Sequence, residues 1–316
     1  MSLRYNILWV EDTDESYGTY SRRIGKYAES KHIICNIDRI KTADEFNVDK
    51  FDFEKYDLLV VDYHLGERYA GHEIIVAVRS GKHLHDVLFY SATPESELFS
   101  LLTKHHLEGV YVSDREHDIL VPKVQSLIDK AIKRTIRPIN IRGLVMDTTS
   151  EFDNIVKDTI LMSWNLLNDD EKVAIMKYVE ALAEKSAGNA KEFAKRIKDL
   201  SLSDVLAEHS FTAMMSIKLL DKIIKTENPN FVSAKSEATT HLESDKLTKA
   251  YDDDILRFRN MLAHAKIDGD VEGPILIGSV NNEKHYCDEV FCSMMRKSLI
   301  KYQAFFVALY HSIEEV

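Results

Sequence analysis

The residues Tyr56-Asp57-Leu58-Leu59-Val60-Val61-Asp62-Tyr63-His64-Leu65-Gly66 contain an apolar run that stops at a carboxylate, Asp62. Two other runs have the same form: Asn6-Ile7-Leu8-Trp9-Val10 stops at Glu11-Asp12, and Val87-Leu88-Phe89-Tyr90 stops at Ser91. Continuous apolar runs of about four to six residues, separated by helical stretches, are typical of parallel strands that are buried on both faces. The pattern predicts a doubly wound α/β sheet in this half of the chain.

Polar side chains follow each of these three predicted strands. In open α/β sheets, ligands bind beyond the carboxyl ends of the strands. The sequence therefore places Glu11, Asp12, Asp62 and Ser91 at one edge of the sheet. Clustered carboxylates repel one another unless a cation lies between them, and hard divalent cations prefer carboxylate oxygens as ligands. We expect a divalent metal at this edge.

These residues, together with Tyr111 in the last predicted strand, resemble the receiver domain of response regulators over residues 1–133. The resemblance implies a five-stranded parallel sheet with a phosphoacceptor aspartate at Asp62. Ser91 would contact the phosphoryl group, and Tyr111 would be the aromatic switch residue. The protein would then be a phosphoprotein of two-component signalling, and its partner a sensor histidine kinase or another phosphodonor.

The same resemblance implies a magnesium site. Glu11 and Asp12 match the acidic pair of receivers, with Asp12 as the direct ligand. Asp62 would be the third carboxylate, and His64 would lend only its backbone carbonyl. Together these residues offer the oxygen ligands that Mg²⁺ prefers.

One position departs from the receiver pattern. Receivers carry a lysine three residues after the switch aromatic, whereas this chain has Asp114 there. A carboxylate at that position opposes phosphate binding because like charges repel. The next residue, Arg115, is a candidate substitute for the missing cation. Two alternatives stay open: Asp62 accepts a phosphoryl group, or the domain is a pseudo-receiver that serves only as a docking surface.

A second motif lies in the C-terminal half, where an acidic run leads into Arg259-Asn260-Met261-Leu262-Ala263-His264. Arginine offers a charged fork that fits phosphate oxygens, and an unperturbed histidine exchanges a proton near neutral pH. On a helix, Asn260 and His264 share one face, whereas Arg259 lies roughly 140° around from His264. The alternative is a helix C-terminus where His264 favours the dipole and Arg259 makes a surface ion pair.

The motif resembles the Arg-x4–6-His signature of the HEPN superfamily, including the polar residue directly after the arginine. The resemblance implies a homodimeric ribonuclease that needs no metal at this site and cleaves RNA such as tRNA. His264 would transfer protons, Arg259 would stabilise the charged transition state, and Asn260 would orient the substrate or donate a hydrogen bond. We expect Arg259 and His264 to lie on a polar helix face, where alanine substitution changes stability little.

The C-terminal half is predicted to be an all-α, HEPN-like helical bundle over residues 142–316, after a linker at residues 134–141. Pro138 indicates the linker because proline restricts the backbone. Thr149 or Ser150 would be the N-cap of the next helix. Two further elements are predicted, a small β-hairpin within Gly273–His285 and a long helix over about Asp288–Glu314.

Composition limits the remaining functions. The three cysteines, Cys35, Cys287 and Cys292, have no metal-ligand spacing and are odd in number, so we expect a reducing cytoplasm. No apolar stretch approaches the roughly 18 residues of a membrane span, and no signal peptide opens the chain. The net charge of −11 is unlike that of a general nucleic-acid binder. RNA would therefore need a local patch or a groove between two subunits, and no DNA-binding helix-turn-helix stands out.

Two functions from different classes follow from these observations. The first is a receiver-regulated HEPN ribonuclease, switched by phosphorylation or by docking at the receiver. The alternative is a non-catalytic signalling and dimerisation adaptor that contains a pseudo-receiver. The sequence leaves open the RNA target, the cognate kinase and the pathway, whether phage defence, toxin–antitoxin or stress control.

Overall fold

The computed structural model describes residues 4–42, 45–46, 52–65, 69–135, 138–185, 193, 195–232, 236, 240, 246–268, 275–280 and 283–316. The chain divides after Thr135 into two compact units, an N-terminal unit up to that residue and a C-terminal unit from residue 136 to Val316. Within the described ranges, no helix combines the length and the apolar character that crossing a bilayer requires.

The N-terminal unit is built around a parallel sheet of five strands. Its elements are β1 (Arg4–Val10), α1 (Asp14–Ser30), β2 (Ile34–Ile40), β3 (Leu58–Asp62), β4 (His64–Leu65), β5 (Tyr69–Ala70), α2 (His72–Ser80), β6 (Asp86–Ser91), α3 (Glu95–Lys104), β7 (Val110–Asp114) and α4 (His117–Thr135). The order in the sheet is β2-β1-β3-β6-β7. The predicted five-stranded parallel α/β sheet is confirmed.

The central strands bury nearly all of their side chains, which explains the continuous apolar runs of the sequence. All five residues of β3 are buried, as are the last four of β1. The order of the strands reverses between β1 and β3, and ligands of such sheets bind beyond the carboxyl ends of the strands at this point. The register aligns those ends, since Val10 pairs with Val61, Asp62 with Tyr90, and Ser91 with Asp114.

The C-terminal unit is mainly helical, as predicted. Its elements are α5 (Pro138–Asn165), α6 (Asp169–Glu184), α7 (Leu202–Ala207), α8 (Ala213–Ile224), α9 (Leu247–Tyr251), a π-helical turn (Asp252–Leu256), α10 (Arg257–His264), β8 (Lys266–Asp268), β9 (Ile275–Val280), β10 (Glu283–Tyr286) and α11 (Glu289–Glu314). The long C-terminal helix is confirmed, with Asp288 as its N-cap. The predicted hairpin is formed by β9 and β10, and β8 adds a third antiparallel strand.

The start of α5 differs from the prediction. Thr149 and Ser150 lie in the middle of this helix, where their hydroxyls donate hydrogen bonds to backbone carbonyls one turn earlier. The prediction that one of them is an N-cap is wrong, because Ser and Thr can bond back to the preceding turn inside a helix as well as cap one. The helix begins instead at Pro138, whose missing N–H costs nothing in a first turn. Helix α4 ends at Thr135, so most of the predicted linker at 134–141 is helical, and residues 136 and 137 lie outside the described residues.

Aromatic packing fixes the helix that carries the arginine–histidine motif. Tyr251 is fully buried and packs edge-on against Phe306 and Tyr302 of α11. Phe306 also contacts Phe152 of α5, so that α5, α9 and α11 share one core. A Cβ at Gly278 of β9 would lie 2.2 Å from the side chain of Met261, so α10 approaches the β9 backbone closely.

Candidate functional site

Three carboxylates converge at the carboxyl edge of the N-terminal sheet. Glu11 and Asp12 follow β1, and Asp62 is the last residue of the neighbouring strand β3. One oxygen from each of the three lies within 4.8 Å of the others. Glu11 and Asp62 are completely buried, whereas Asp12 is exposed. The acidic cluster that the sequence predicts is therefore present, with one member facing solvent.

The two oxygens of Asp62 have different surroundings. Oδ1 accepts a hydrogen bond from the backbone N–H of His64 at 3.2 Å. Oδ2 is buried and accepts no hydrogen bond, although it lies 3.2 Å from Nη1 of Arg115. Burial raises the pKa of Asp62 to about 7; the Arg115 guanidinium opposes this shift, and the Glu11 carboxylate adds to it. The lone pairs of Oδ2 are thus available to a ligand.

Glu11 is held by a network of donors. Its oxygens accept hydrogen bonds from the Tyr90 hydroxyl at 2.7 Å, from the Thr13 backbone at 2.9 Å and from Nη2 of Arg115 at 3.1 Å. The indole N–H of Trp9 in turn donates to the Tyr90 hydroxyl at 2.9 Å. Burial and the nearby carboxylates raise the pKa of Tyr90 well above its usual value, so this hydroxyl stays a donor. Glu11 is therefore fixed in place, whereas Asp12 lies at the solvent-exposed side of the cluster.

Arg115 occupies the centre of the cluster, and Asp114 does not. The Asp114 carboxylate accepts a hydrogen bond from the Glu116 backbone at 2.8 Å, just before α4 begins. Arg115 lies one residue further along, and its fork reaches both Glu11 and Asp62. Its backbone is held as well, because its N–H donates to the Ser91 carbonyl and its carbonyl accepts from the Tyr20 hydroxyl. A cation is thus present in the cluster, from the residue that follows Asp114.

Ser91 and His64 lie beside this cluster, whereas the Tyr111 hydroxyl is directed towards the start of β6, where its partner Lys130 also binds Asp86. Ser91 is buried on the adjacent strand β6, where it directly follows Tyr90, the residue that pairs with Asp62. The Ser91 hydroxyl accepts a hydrogen bond from the Thr93 backbone at 2.9 Å. Tyr111 is partly exposed, and its hydroxyl accepts a hydrogen bond from Lys130 of α4 at 2.7 Å. The His64 ring lies 3.0 Å from the Thr93 hydroxyl, and the use of its carbonyl as a metal ligand stays a prediction.

Gly71 is required by the position of Asp62. A Cβ at this residue would lie 2.0 Å from the Asp62 carbonyl oxygen and 2.8 Å from Val61. We expect Gly71→Ala to lower the free energy of unfolding by about 1–3 kcal/mol, the usual cost of overpacking a close contact. The measurement is urea denaturation of the full chain.

The matched control for this substitution is Gly18→Ala in helix α1. A Cβ at Gly18 meets nothing within 4 Å, and alanine favours a helix by about 1 kcal/mol over glycine. The control should leave stability unchanged or raise it. Equal losses in the two variants would contradict the steric role of Gly71.

The polar side chains of the C-terminal motif point in two different directions. Asn260 and His264 are both exposed and lie four residues apart on α10, and therefore on one face. Arg259 instead turns towards α5, where its Nη2 lies 3.5 Å from Oδ2 of Asp153. Burial raises the pKa of Asp153, and the Arg259 charge opposes that shift. Arg259 thus lies on a different side of α10 from His264, as its position roughly 140° around the helix predicts, and faces the unit's own helix α5.

No family model matches this chain. No curated protein matches it either. Among solved structures, the match to the BeF3-activated DrrB receiver domain spans 40% of this chain and 98% of the DrrB chain, at 16% identity and a TM-score of 0.31. The signal receiver domain of a Luxo repressor protein from Vibrio parahaemolyticus covers 42% and 92%, at 16% identity and a TM-score of 0.31. Full-length FixJ from B. japonicum covers 69% and 97%, at 14% identity and a TM-score of 0.30.

Two residues at these sites do not follow from the sequence motifs. In the sequence, Tyr90 is the last residue of an apolar run, and nothing there predicts that its hydroxyl donates a hydrogen bond to Glu11. Asp153 lies far from Arg259 in the chain, and no spacing connects the two. Both residues hold another side chain in place, and such partners become visible only in three dimensions.

Proposed function

We propose that the N-terminal unit is a phosphorylation-controlled receiver with Asp62 as the phosphoacceptor, and that it regulates an HEPN-type ribonuclease in the C-terminal unit. The observation that carries the first half is the buried Oδ2 of Asp62, which accepts no hydrogen bond and faces a cation and two further carboxylates. An available carboxylate oxygen at the switch point of a parallel sheet is placed to attack a phosphoryl group.

Magnesium fits this cluster. Three carboxylates with oxygens within 4.8 Å of one another provide hard oxygen donors, and the single guanidinium of Arg115 leaves them with excess negative charge. Asp12 and Asp62 would hold the ion, with the His64 carbonyl as a further ligand, while Glu11 stays on its own donors. When bound, the ion would neutralise charge on the incoming phosphoryl oxygens.

Phosphoryl transfer to Asp62 would proceed by attack of a carboxylate oxygen on the phosphorus of an acyl phosphate or phosphohistidine. The bond from phosphorus to the donor breaks, the donor leaves with its electron pair, and an aspartyl phosphate forms. Arg115 supplies the positive charge that the lysine supplies in receivers, and Ser91 offers a hydroxyl to a phosphoryl oxygen. The partner is a sensor histidine kinase or a small phosphodonor.

In the C-terminal unit, RNA cleavage would proceed by proton transfer and without a metal. His264 is exposed, so its imidazole can accept the proton of a ribose 2′-hydroxyl. The 2′ oxygen then attacks the adjacent phosphorus and the bond from phosphorus to the 5′ oxygen breaks. The 5′ oxygen takes up a proton, which leaves a 2′,3′-cyclic phosphate. Asn260 lies on the same face to orient the phosphate, and Arg259 can stabilise the charge on it after leaving Asp153.

A dimer would bring two such motifs together. Tyr286, Val290 and Met294 are exposed apolar side chains at the end of β10 and the start of α11. This region adjoins α10, because Phe258 of that helix packs against Phe291. An exposed apolar group beside the motif favours a two-fold contact there, which would create a composite cleft for RNA despite the acidic chain.

The dimer is tested with the double variant Val290→Asp/Met294→Asp. We expect the wild-type chain to be a dimer and the variant to be a monomer without RNA cleavage, because two carboxylates would have to be buried in the interface. Light scattering on the full chain gives the mass, with and without phosphodonor. The control is Val173→Asp, which replaces an exposed valine on α6. A wild-type chain that is monomeric under both conditions would rule out the composite cleft.

The regulatory link is tested by incubating the full chain with tRNA or total RNA, with and without acetyl phosphate and Mg²⁺. We expect cleavage to change with the phosphodonor and to leave cyclic phosphate ends. A cleavage rate that is the same with and without the phosphodonor would show that the N-terminal unit does not regulate the C-terminal unit. No cleavage under any condition would favour the alternative, a signalling and dimerisation adaptor.

A further inference from the structure

Arg115 binds its two carboxylates in different ways. Nη2 is anchored several times over, since it lies 3.1 Å from Oε1 of Glu11 and 3.3 Å from the hydroxyls of Thr13 and Ser16. Nη1 lies 3.2 Å from Oδ2 of Asp62, outside hydrogen-bond geometry. The guanidinium is therefore tightly held at Glu11 and loosely held at Asp62.

The position of Nη1 conflicts with that of a metal. A cation bound to Oδ2 of Asp62 would lie within a few ångströms of the Arg115 guanidinium, and two cations that close repel each other. Anchoring by Glu11, Thr13 and Ser16 keeps Arg115 from leaving altogether. A rotation of the guanidinium about that anchor would move Nη1 away from Asp62.

We propose that Arg115 is a tethered competitor of Mg²⁺, which neutralises Glu11 and Asp62 in the resting protein and is displaced from Asp62 when the metal binds. This inference rests on the proposed metal site and adds its regulation: the arginine weakens metal binding and holds the receiver in a resting state. After displacement, the anchored guanidinium remains within reach of a phosphoryl group on Asp62 and can contact one of its oxygens. The residue therefore couples metal binding to readiness for phosphoryl transfer.

The test is Mg²⁺ titration by calorimetry on the full chain. Arg115→Gln removes the competing charge but keeps a polar group, so we expect it to bind Mg²⁺ at least about tenfold more tightly than the wild type. Arg115→Lys keeps a cation and should stay within a few-fold of wild type. Lys41→Gln is the matched control, because Lys41 carries the same charge near this edge but pairs with Asp14. It should change the affinity little.

A second readout separates competition from a merely structural role. Without metal, Arg115→Gln leaves two buried carboxylates without their cation, so its thermal midpoint should fall, and saturating Mg²⁺ should restore it. The midpoint shift on adding Mg²⁺ should therefore be larger in this variant than in wild type. Equal or weaker Mg²⁺ binding by Arg115→Gln would overturn the proposal while leaving the metal site intact. An absence of binding in every protein would overturn the metal site as well.

Discussion

His264→Ala is expected to lower the rate of RNA cleavage by about 10²- to 10⁴-fold, the usual contribution of a general acid–base group. The side chain is exposed and lies in the last turn of α10, so its removal should leave the thermal midpoint nearly unchanged. The measurement is the single-turnover rate on a labelled RNA, made on the full chain with and without phosphodonor. Cleavage by the wild type should survive a metal chelator, unless Mg²⁺ at the receiver is needed to switch the enzyme on.

The matched control is His209→Ala, which removes another exposed histidine of the same unit. It should cleave at the wild-type rate. Equal activity in wild type and His264→Ala would point to a contaminating nuclease and remove the ribonuclease assignment. A midpoint that falls sharply in His264→Ala would instead indicate a structural role for this residue.

Arg259→Ala is expected to reduce cleavage by about 10²- to 10³-fold, as for a lost transition-state stabiliser. In contrast to His264→Ala, it should also lower the free energy of unfolding by about 1 kcal/mol, because Asp153 is left partly buried without its partner. Arg257→Ala is the control, since Arg257 pairs with acidic residues of the π-helical turn and not with Asp153. Asp153→Asn, which keeps Arg259, separates the loss of stability from the loss of catalysis.

Asp62→Asn is expected to abolish phosphorylation completely, because an amide oxygen cannot form the acyl phosphate. Wild-type protein incubated with acetyl phosphate and Mg²⁺ should gain the mass of one phosphoryl group, and the variant should gain none. The control is Asp114→Asn, which removes the carboxylate at the end of the neighbouring strand β7. It should still accept the group, since Asp114 binds the Glu116 backbone and not the cluster.

The opposite pattern would identify a pseudo-receiver. If wild-type protein gains no phosphoryl group while Asp114→Lys gains one, the natural site lacks a cation that Arg115 does not replace. The N-terminal unit would then act by docking alone. The adaptor alternative would gain from that result only if RNA cleavage were also absent.

The apolar runs were sufficient to predict the parallel sheet and the convergence of Glu11, Asp12 and Asp62. Strands buried on both faces leave continuous runs, and the carboxyl ends of neighbouring parallel strands lie at one edge. The long helix α11 and the hairpin of β9 and β10 were predictable for a similar reason, since hydrophobic periodicity and local turn residues mark them. These features depend on neighbours along the chain.

Other features depend on contacts between distant residues. The sequence could not say whether Asp114 or Arg115 enters the cluster, because that depends on side-chain direction after the last strand. The turn of Arg259 towards Asp153 follows from the packing of α10 on α5. Thr149 is of a residue type that often caps helices, but its hydroxyl donates to a carbonyl of the preceding turn inside a longer helix, because tertiary packing overrides local preference. Local pattern fixes where strands end and which polar groups follow them, whereas pairing across the fold fixes which cation meets which carboxylate.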